Sequence, residues 1–343
     1  MKIDHSFPLY YSLVLLFLAT TTILISPSHS ALGKCNPSDY KALMNFKKSL
    51  SPYESSWELT SWVQNTDCCD WHGVGCGDKT NRVEELYISA SDISGQIPSS
   101  VCDLPYLVSL VFSKSKNITG SIPQSITKLK TSHSALSSMS LSGPVPNFLN
   151  QLIALTHLDL SYNQFSGSIP PNLADLKNIG SISLAGNKLT GSIPESFGRF
   201  TGMGSLYLSQ NELTGPIPKS FGALAFSQID LSRNKLVGDA SMLFNPNHGW
   251  TTFTDFSRNP FEFDFTNVKF PKELNWLDIS RNKIFGGIPD EIKSLDNLYK
   301  LKVGYNRLCG KIPTGGRMQR FKFTSFFHNK CLCGSPLRSC KRR

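Results

Sequence analysis

Two sets of residues in this 343-residue chain have types and spacings that could do chemistry. The first is a set of cysteines gathered at two ends. Cys35, Cys68, Cys69 and Cys76 precede a long stretch that holds only Cys102, and Cys309, Cys331, Cys333 and Cys340 follow it. The neighbouring Cys68-Cys69 and Cys331-Leu332-Cys333 would suit a zinc site, yet no histidine stands at ligand spacing. In an exported chain, four and four reads as disulfides. Connectivity stays open, with Cys35–Cys68, Cys69–Cys76, Cys309–Cys331 and Cys333–Cys340 as the sequential choice. The second set pairs acids with guanidiniums: Asp230, Asp255 and Asp278 are each followed three residues later by Arg233, Arg258 and Arg281, and Asp159 stands earlier in the same pattern. Gly-x-Ser-x-Gly, His-Glu-x-x-His and phosphate-loop motifs do not occur, and the histidines are scattered. The chemistry on offer is charge recognition at a surface, with no cofactor and no enzyme activity expected.

These residues need a scaffold that returns them at a fixed interval, and the sequence supplies one. Ile97-Pro98, Ile122-Pro123, Val145-Pro146, Ile169-Pro170, Ile193-Pro194 and Ile217-Pro218 fall 23 to 25 residues apart, and Ile288-Pro289 and Ile312-Pro313 resume the series. A period in the twenties built on Leu-x-x-Leu-x-Leu-x-x-Asn-x-Leu is the signature of a leucine-rich-repeat solenoid. The expected fold is an α/β solenoid, a right-handed superhelix of about ten 24-residue repeats between disulfide-tied caps. Its boundaries are a signal peptide at 1–30, an N-terminal cysteine cap at 31–81, the solenoid at 82–313 and a C-terminal cap with a basic tail at 314–343. Terminal repeats lack a neighbour to cover their apolar face, which gives the cysteines a structural purpose.

Within a repeat, Leu158 and Leu160 alternate as a short strand with its apolar face inward. Asn163 recurs as Asn187, Asn211, Asn234, Asn259, Asn282 and Asn306. A buried amide there is expected to bond the backbone of its own and the next coil. Ser-Gly or Thr-Gly bends the chain before each Ile-Pro, and apolar residues three and six positions after the proline predict a short 3₁₀ or α turn on the convex side. Counting back from the asparagine, positions −6, −4, −2 and −1 should face away from the core, on the concave surface. They give His157, Asp159, Ser161 and Tyr162; Ser183; Ser205 and Tyr207; Gln228, Asp230 and Arg233; Phe253, Asp255 and Arg258; Trp276, Asp278 and Arg281; and Lys300 and Lys302. Parallel strands stack about 4.8 Å apart, so the charges form two stripes. The bland reading is a solvated face of self-neutralising Asp–Arg pairs, each contributing about 0–1 kcal/mol. The functional one is a protein-docking strip anchored by exposed Tyr162, Tyr207, Phe253 and Trp276, since aromatics and arginine dominate interface energy.

The flanks complete the frame. Lys2 and His5 precede an apolar run from Leu9 to Ile25, and Ser28-His29-Ser30 offers small residues before a cleavage point at Ala31, so the mature chain is expected to be secreted without stable membrane insertion. A helix should run from Asp39 to Leu50, capped by Ser38 or Asp39. Trp57, Trp62 and Trp71 then crowd the first cap. Cys102 falls in a slot shared with Thr127, Asn150, Ala174, Gly198 and Lys293, and should lie on or near the convex surface as a free thiol. Asn117-Ile118-Thr119 is a glycosylation sequon. The net charge of +10 suits an acidic partner. In a secreted chain nucleic acid is not the expected partner.

The run Asp67-Cys68-Cys69-Asp70-Trp71-His72-Gly73-Val74-Gly75-Cys76, followed by Leu-x-Gly-x-Ile-Pro repeats, resembles the plant extracellular leucine-rich-repeat class. The tail from Asn306 through Cys309-Gly310-Lys311-Ile312-Pro313 to Asn329-Lys330-Cys331-Leu332-Cys333-Gly334 resembles the polygalacturonase-inhibiting proteins closely, and the end at Arg343 without a membrane helix or kinase matches their stand-alone form. The resemblance implies a monomeric, secreted plant cell-wall protein, and in that wall the abundant polyanion to suit the positive charge is acidic, demethylated pectin (homogalacturonan). It would bind fungal or insect endopolygalacturonase through the concave face and obstruct the substrate cleft. Two departures stand against that pattern: Thr131, Ser134 and Met139 degrade the third repeat, and Ser183 and Ala185 thin the acidic patch of the middle repeats. A receptor-like recognition protein is the alternative. Ice binding is a minor one, because alternating charges disturb a flat polar array.

Overall fold

A computed structural model describes residues 35–51, 57–89 and 92–340. The expected signal segment at 1–30 and the closing basic triplet at 341–343 lie outside them. The repeat dictates the architecture. Eleven short strands form one sheet, of which Val74–Cys76 is antiparallel to its neighbour and the remaining ten are parallel. Consecutive strands pair in register, so Leu158, Ile182, Leu206, Ile229, Thr254, Leu277 and Leu301 stack as one inward column. Except for the threonine these are apolar, and each fully buried aliphatic side chain contributes about 1.5–3 kcal/mol.

Beyond the strand, left-handed glycines such as Gly167, Gly191 and Gly215 (φ 75–77°) turn the chain onto a lateral face, a conformation that disfavours any side chain. Strands Gly95–Gln96, Ile118–Gly120, Ser140–Pro144, Gln164–Ser168 and Lys188–Thr190 pair there as a second parallel sheet. Each proline then caps a single 3₁₀ turn, as at Gln124–Lys128, Pro171–Asp175 and Glu195–Arg199. The apolar residues three and six positions after the proline (Phe197 and Phe200, for example) are buried, in agreement with the expected convex turn.

The asparagine ladder closes the coils, with one correction. Asn187 donates through Nδ2 to the carbonyls of Leu160 (3.0 Å), Leu184 (3.0 Å) and Ala185 (3.3 Å), and its Oδ1 accepts from the Phe165 N–H at 3.0 Å. Leu160 and Phe165 belong to the preceding coil, so the amide ties its own coil to the one before it, not the one after. In the degraded third repeat, Thr131, Ser134 and Met139 stay buried in the slots of the missing residues. With no asparagine at 139, the Ile118 N–H bonds the Ser115 carbonyl of its own coil at 3.0 Å. Further along, Phe256, Phe263, Phe265 and Phe270 surround Phe244 and Phe261 packs on Phe256, filling the irregular eighth repeat with aromatic rings.

At the N-terminal end the helix spans Pro37–Lys48. Its cap is Asn36, not Ser38 or Asp39, because Pro37 takes the first helical position and the Asn36 side chain accepts from the Ser38 N–H. Asp39 instead lies buried and holds Arg82 bidentately at 2.8 Å, while also accepting from the Val83 N–H. This charge-assisted fork fastens the cap to the first repeat strand. Trp62 stacks on Trp71 with centroids 5.3 Å apart, whereas Trp57 stays exposed beside His72. The disulfides are Cys35–Cys68, Cys69–Cys76, Cys309–Cys331 and Cys333–Cys340. Cys102 is free but buried, a third correction: the N-terminal helix packs over the 3₁₀ turn Ser99–Asp103 that carries it. Burial pushes its thiol above the usual range.

Candidate partner-binding face

The concave face is shaped by a local device repeated from coil to coil. Residues at the −1 position enter the left-handed region: Tyr162 (φ 54°), Gln210 (56°), Arg233 (55°), Arg258 (59°), Arg281 (59°) and Tyr305 (59°). For an L-residue this costs about 1–2 kcal/mol. The aspartate at −4 supports the turn from outside. Asp159, Asp230 and Asp255 each accept from the N–H two residues on (Ser161, Ser232 and Ser257) at 2.9 Å, and Asp278 accepts from Ser280 at 3.0 Å. The acidic column is therefore first a backbone brace. The Asp-x-Ser spacing carries that signal, since an aspartate often bonds the backbone two residues on.

Positions −6, −4 and −1 reach the surface as expected. Position −2 does not: Ser161, Ala185, Ser209, Ser232 and Ser257 are buried, because their carbonyls turn toward the ladder asparagines. Asp278 is also withdrawn, at 4% exposure, with Lys302 3.1 Å away and the Ser280 hydroxyl donating to it. The Asp–Arg pairs of the bland reading do not form. Among the described residues, the ion pair on this face joins Lys302 to Asp278, not an arginine. Arg281 lies over the Tyr305 ring at 4.0 Å, and Lys300 over Trp276 at 5.1 Å.

The aromatic anchors are less open than the columns imply. Tyr162 is 53% exposed, but Tyr207, Phe253 and Trp276 are half-buried. Tyr207 donates to Gln228 on the following strand, and Phe253 stacks on Trp276 with centroids 5.3 Å apart. At the N-terminal side, His157 is exposed, takes Thr156 through Nδ1 at 2.8 Å and packs on His133. Ser183, half-buried, pairs in register between Asp159 and Tyr207. Asn117 of the sequon is exposed, directly before the lateral strand Ile118–Gly120.

The C-terminal end of the face deepens into an open cleft of about 640 Å³, between the last four strands and the cap turns Met318–Arg320 and Phe323–Ser325. Its walls carry Arg233, Arg258, Arg281, Lys300 and Lys302, with Arg320 and Lys322 added by the cap. The sequence showed Arg233, Arg258 and Arg281 as a column and Lys300 and Lys302 as concave positions, but not the cleft, because repeat and cap residues far apart in the chain build it. On the floor, Asp255 lies in register between Asp230 and Asp278. Burial, and next the nearby Asp278 carboxylate, push it up to about 7, against the opposing Ser257 hydrogen bonds. The cleft thus offers a mostly cationic wall over carboxyls that are buried or proton-sensitive.

A parallel sheet of one strand per coil, the asparagine ladder and a cystine cap at each end define a leucine-rich-repeat recognition solenoid. A family model described as "Leucine rich repeat N-terminal domain" matches residues 36–77, and one described as "Leucine Rich Repeat" matches 154–176, 178–200, 204–224 and 273–295. A protein named "Polygalacturonase inhibitor" from Vitis vinifera is 50% identical, over 99% of this chain and 100% of its own. A protein of the same name from Pyrus communis is 51% identical, over 98% and 100%. The chain belongs to the polygalacturonase inhibitor family of leucine-rich-repeat proteins. A solved structure titled "crystal structure of a plant ice-binding protein" matches with TM-score 0.86 and 45% identity, over 90% of this chain and 99% of its own. These curated relatives bear the names of inhibitors, not enzymes.

Proposed function

We propose that this protein binds an endopolygalacturonase of fungal or insect origin on its concave face and obstructs that enzyme's substrate cleft, acting outside the cell in the plant wall. The observation that carries this reading is the match, at about half identity and over the full length, to proteins named as polygalacturonase inhibitors. The contact strip runs from His157, Asp159 and Tyr162 through Ser183, Tyr207, Gln228 and Asp230 to the arginine-lined cleft. Surface complementarity does the work, with Tyr162 and the arginines supplying the residue types that dominate interface energy. Among the described residues no helix is long and apolar enough to cross a membrane. The apolar run from Leu9 to Ile25 is read as a removable export signal.

A second reading has its own support. The cationic excess of the cleft suits acidic pectin, which would bind the same walls through its carboxylates. Ice binding keeps a minor place, since Thr119, Ser142, Ser166, Thr190 and Thr214 are exposed hydroxyl residues on lateral strands, away from the concave charges. The deciding experiment is an inhibition and binding assay against a panel of endopolygalacturonases, run beside pectin co-sedimentation and thermal hysteresis. Inhibition of at least one enzyme supports the reading. Failure to bind any of them at micromolar concentration refutes it.

A further inference from the structure

The N-terminal half of the concave face brings together two side chains whose pairing the docking reading leaves unused. His133 and His157 stand one repeat apart in the chain, and parallel pairing sets them directly opposite each other on neighbouring strands. His157 is exposed and His133 half-buried, with ring centres 5.4 Å apart and planes tilted by 37°. Among the described residues these are the two histidine rings that meet. His72 lies against Trp57, His248 against Asn245 and His328 against Tyr305. Glu85 and Ser109 precede the pair in the same row, and Ser181 and Ser205 follow it, so that row places no bulky apolar side chain beside the rings.

The hydrogen bonds around His157 fix which of its nitrogens is open. The Thr156 hydroxyl has a single hydrogen, and it donates that hydrogen to the Ser132 carbonyl at 2.9 Å. In its 2.8 Å contact with His157 Nδ1 the ring N–H must therefore donate and the hydroxyl oxygen accept. The neutral ring then keeps its lone pair on Nε2, where it can bind a metal. Ser132, whose carbonyl receives the Thr156 hydroxyl, immediately precedes His133, so the same bond ties the two histidine strands together beside the rings.

We propose that His133 and His157 form a two-imidazole site for a divalent transition-metal ion of the zinc or copper(II) type, with Thr156 as the positioning residue that leaves His157 Nε2 free for the ion. Imidazole is a favoured ligand of these ions. Two imidazoles bonded to one tetrahedral zinc at about 2.0–2.1 Å hold their ring centres roughly 5 Å apart, close to the spacing found here. Asp159, two positions on along the same strand, adds a negative charge that acts on His133 and favours a cation beside it. Among the described residues, three ligating side chains lie close together only at Cys35, Cys68 and Cys69, which are tied in disulfides. The histidine site therefore supplies two ligands and leaves the other positions of the ion to water. It belongs to this chain alone and does not depend on the docking reading.

The test titrates the full, untagged mature chain with zinc chloride in chelator-free buffer, followed by calorimetry. Saturable binding of one ion per chain is expected. It should weaken by about tenfold or more in His133→Ala and in His157→Ala, and stay unchanged in His248→Ala. Thr156→Val keeps both imidazoles but loses the orienting hydroxyl, which should weaken binding by about tenfold, and Thr156→Ser should restore it. Copper(II) supplies a readout on the unaltered chain, so the outcome does not hang on how a variant folds. Its electron paramagnetic resonance spectrum should show coupling to two imidazole nitrogens in the wild type and to one in His157→Ala. No saturable zinc binding at millimolar concentration, equal binding by His133→Ala/His157→Ala, or a copper spectrum without the imidazole pair overturns the proposal. Equal binding by Thr156→Val overturns the role given to its hydroxyl.

Discussion

Lys302 sets its ammonium 3.1 Å from the carboxylate of Asp278, on the neighbouring strand. That contact neutralises one of three stacked acids and leaves Asp255, in the middle of the column, without a cation at ion-pair distance among the described residues.

Stability follows from this through pH. The Asp255 carboxyl is raised to about 7 in the fold, above its value in the unfolded chain. Below about pH 4 it is protonated in both states and costs nothing. Between there and pH 7 the penalty grows, and above pH 7 it is complete. Asp255→Asn should therefore stabilise the protein by on the order of 2–4 kcal/mol at pH 8 and by almost nothing at pH 4. Thermal melts at the two pH values check this. An equal shift at both would separate the effect from titration.

The ladder makes a second prediction. Asn211→Ala removes three donated bonds and one accepted bond from a buried site and leaves the backbone of two coils unpaired. A loss of about 3 kcal/mol or more is expected by chemical denaturation, since each orphaned buried group costs about 1–3 kcal/mol. Met139→Ala, in the ladder slot already lacking an amide, should lose only its apolar packing.

The C-terminal cap should depend on its first disulfide. Cys309–Cys331 closes a loop of 22 residues, and removing both cysteines as serines should cost about 3 kcal/mol. Limited proteolysis should then cut first in the cap, between Phe321 and Cys340. Uniform susceptibility along the solenoid would show that the cap does not act as the end seal.

Binding and folding should separate at two aromatics. Tyr162→Ala removes a side chain that is 53% exposed and should weaken partner binding with little change in melting temperature. Trp276→Ala takes away the partner of Phe253, Lys300 and Tyr299 and should lower both. Paired calorimetry and binding measurements distinguish the two.

Much of this was legible in the sequence, because a solenoid is nearly one-dimensional. The Ile-Pro series, the ladder asparagines and the −6, −4 and −1 columns report contacts between residues about 24 apart, and periodicity reads such contacts directly. The disulfide pairing was the simplest choice, and it formed. Other features depended on partners that a column does not display. Asn36 displaced Ser38 as helix cap because Pro37 fixed the first turn. Cys102 was buried by a helix some sixty residues away. The −2 serines turned inward once the left-handed −1 residue bent the chain. The half-burial of Phe253 and Trp276 came from stacking across strands, and the basic cleft needed a cap whose packing no repeat could foretell.

The docking claim itself meets its most direct test in an inhibition assay of endopolygalacturonases, comparing the wild-type chain with Arg233→Glu/Arg258→Glu/Arg281→Glu at matched folding. The account predicts inhibition of at least one enzyme by the wild type, and a loss of about a hundredfold in the triple variant with its melting temperature little changed. Undiminished inhibition by the triple variant, or none by the wild type at micromolar concentration, would contradict it.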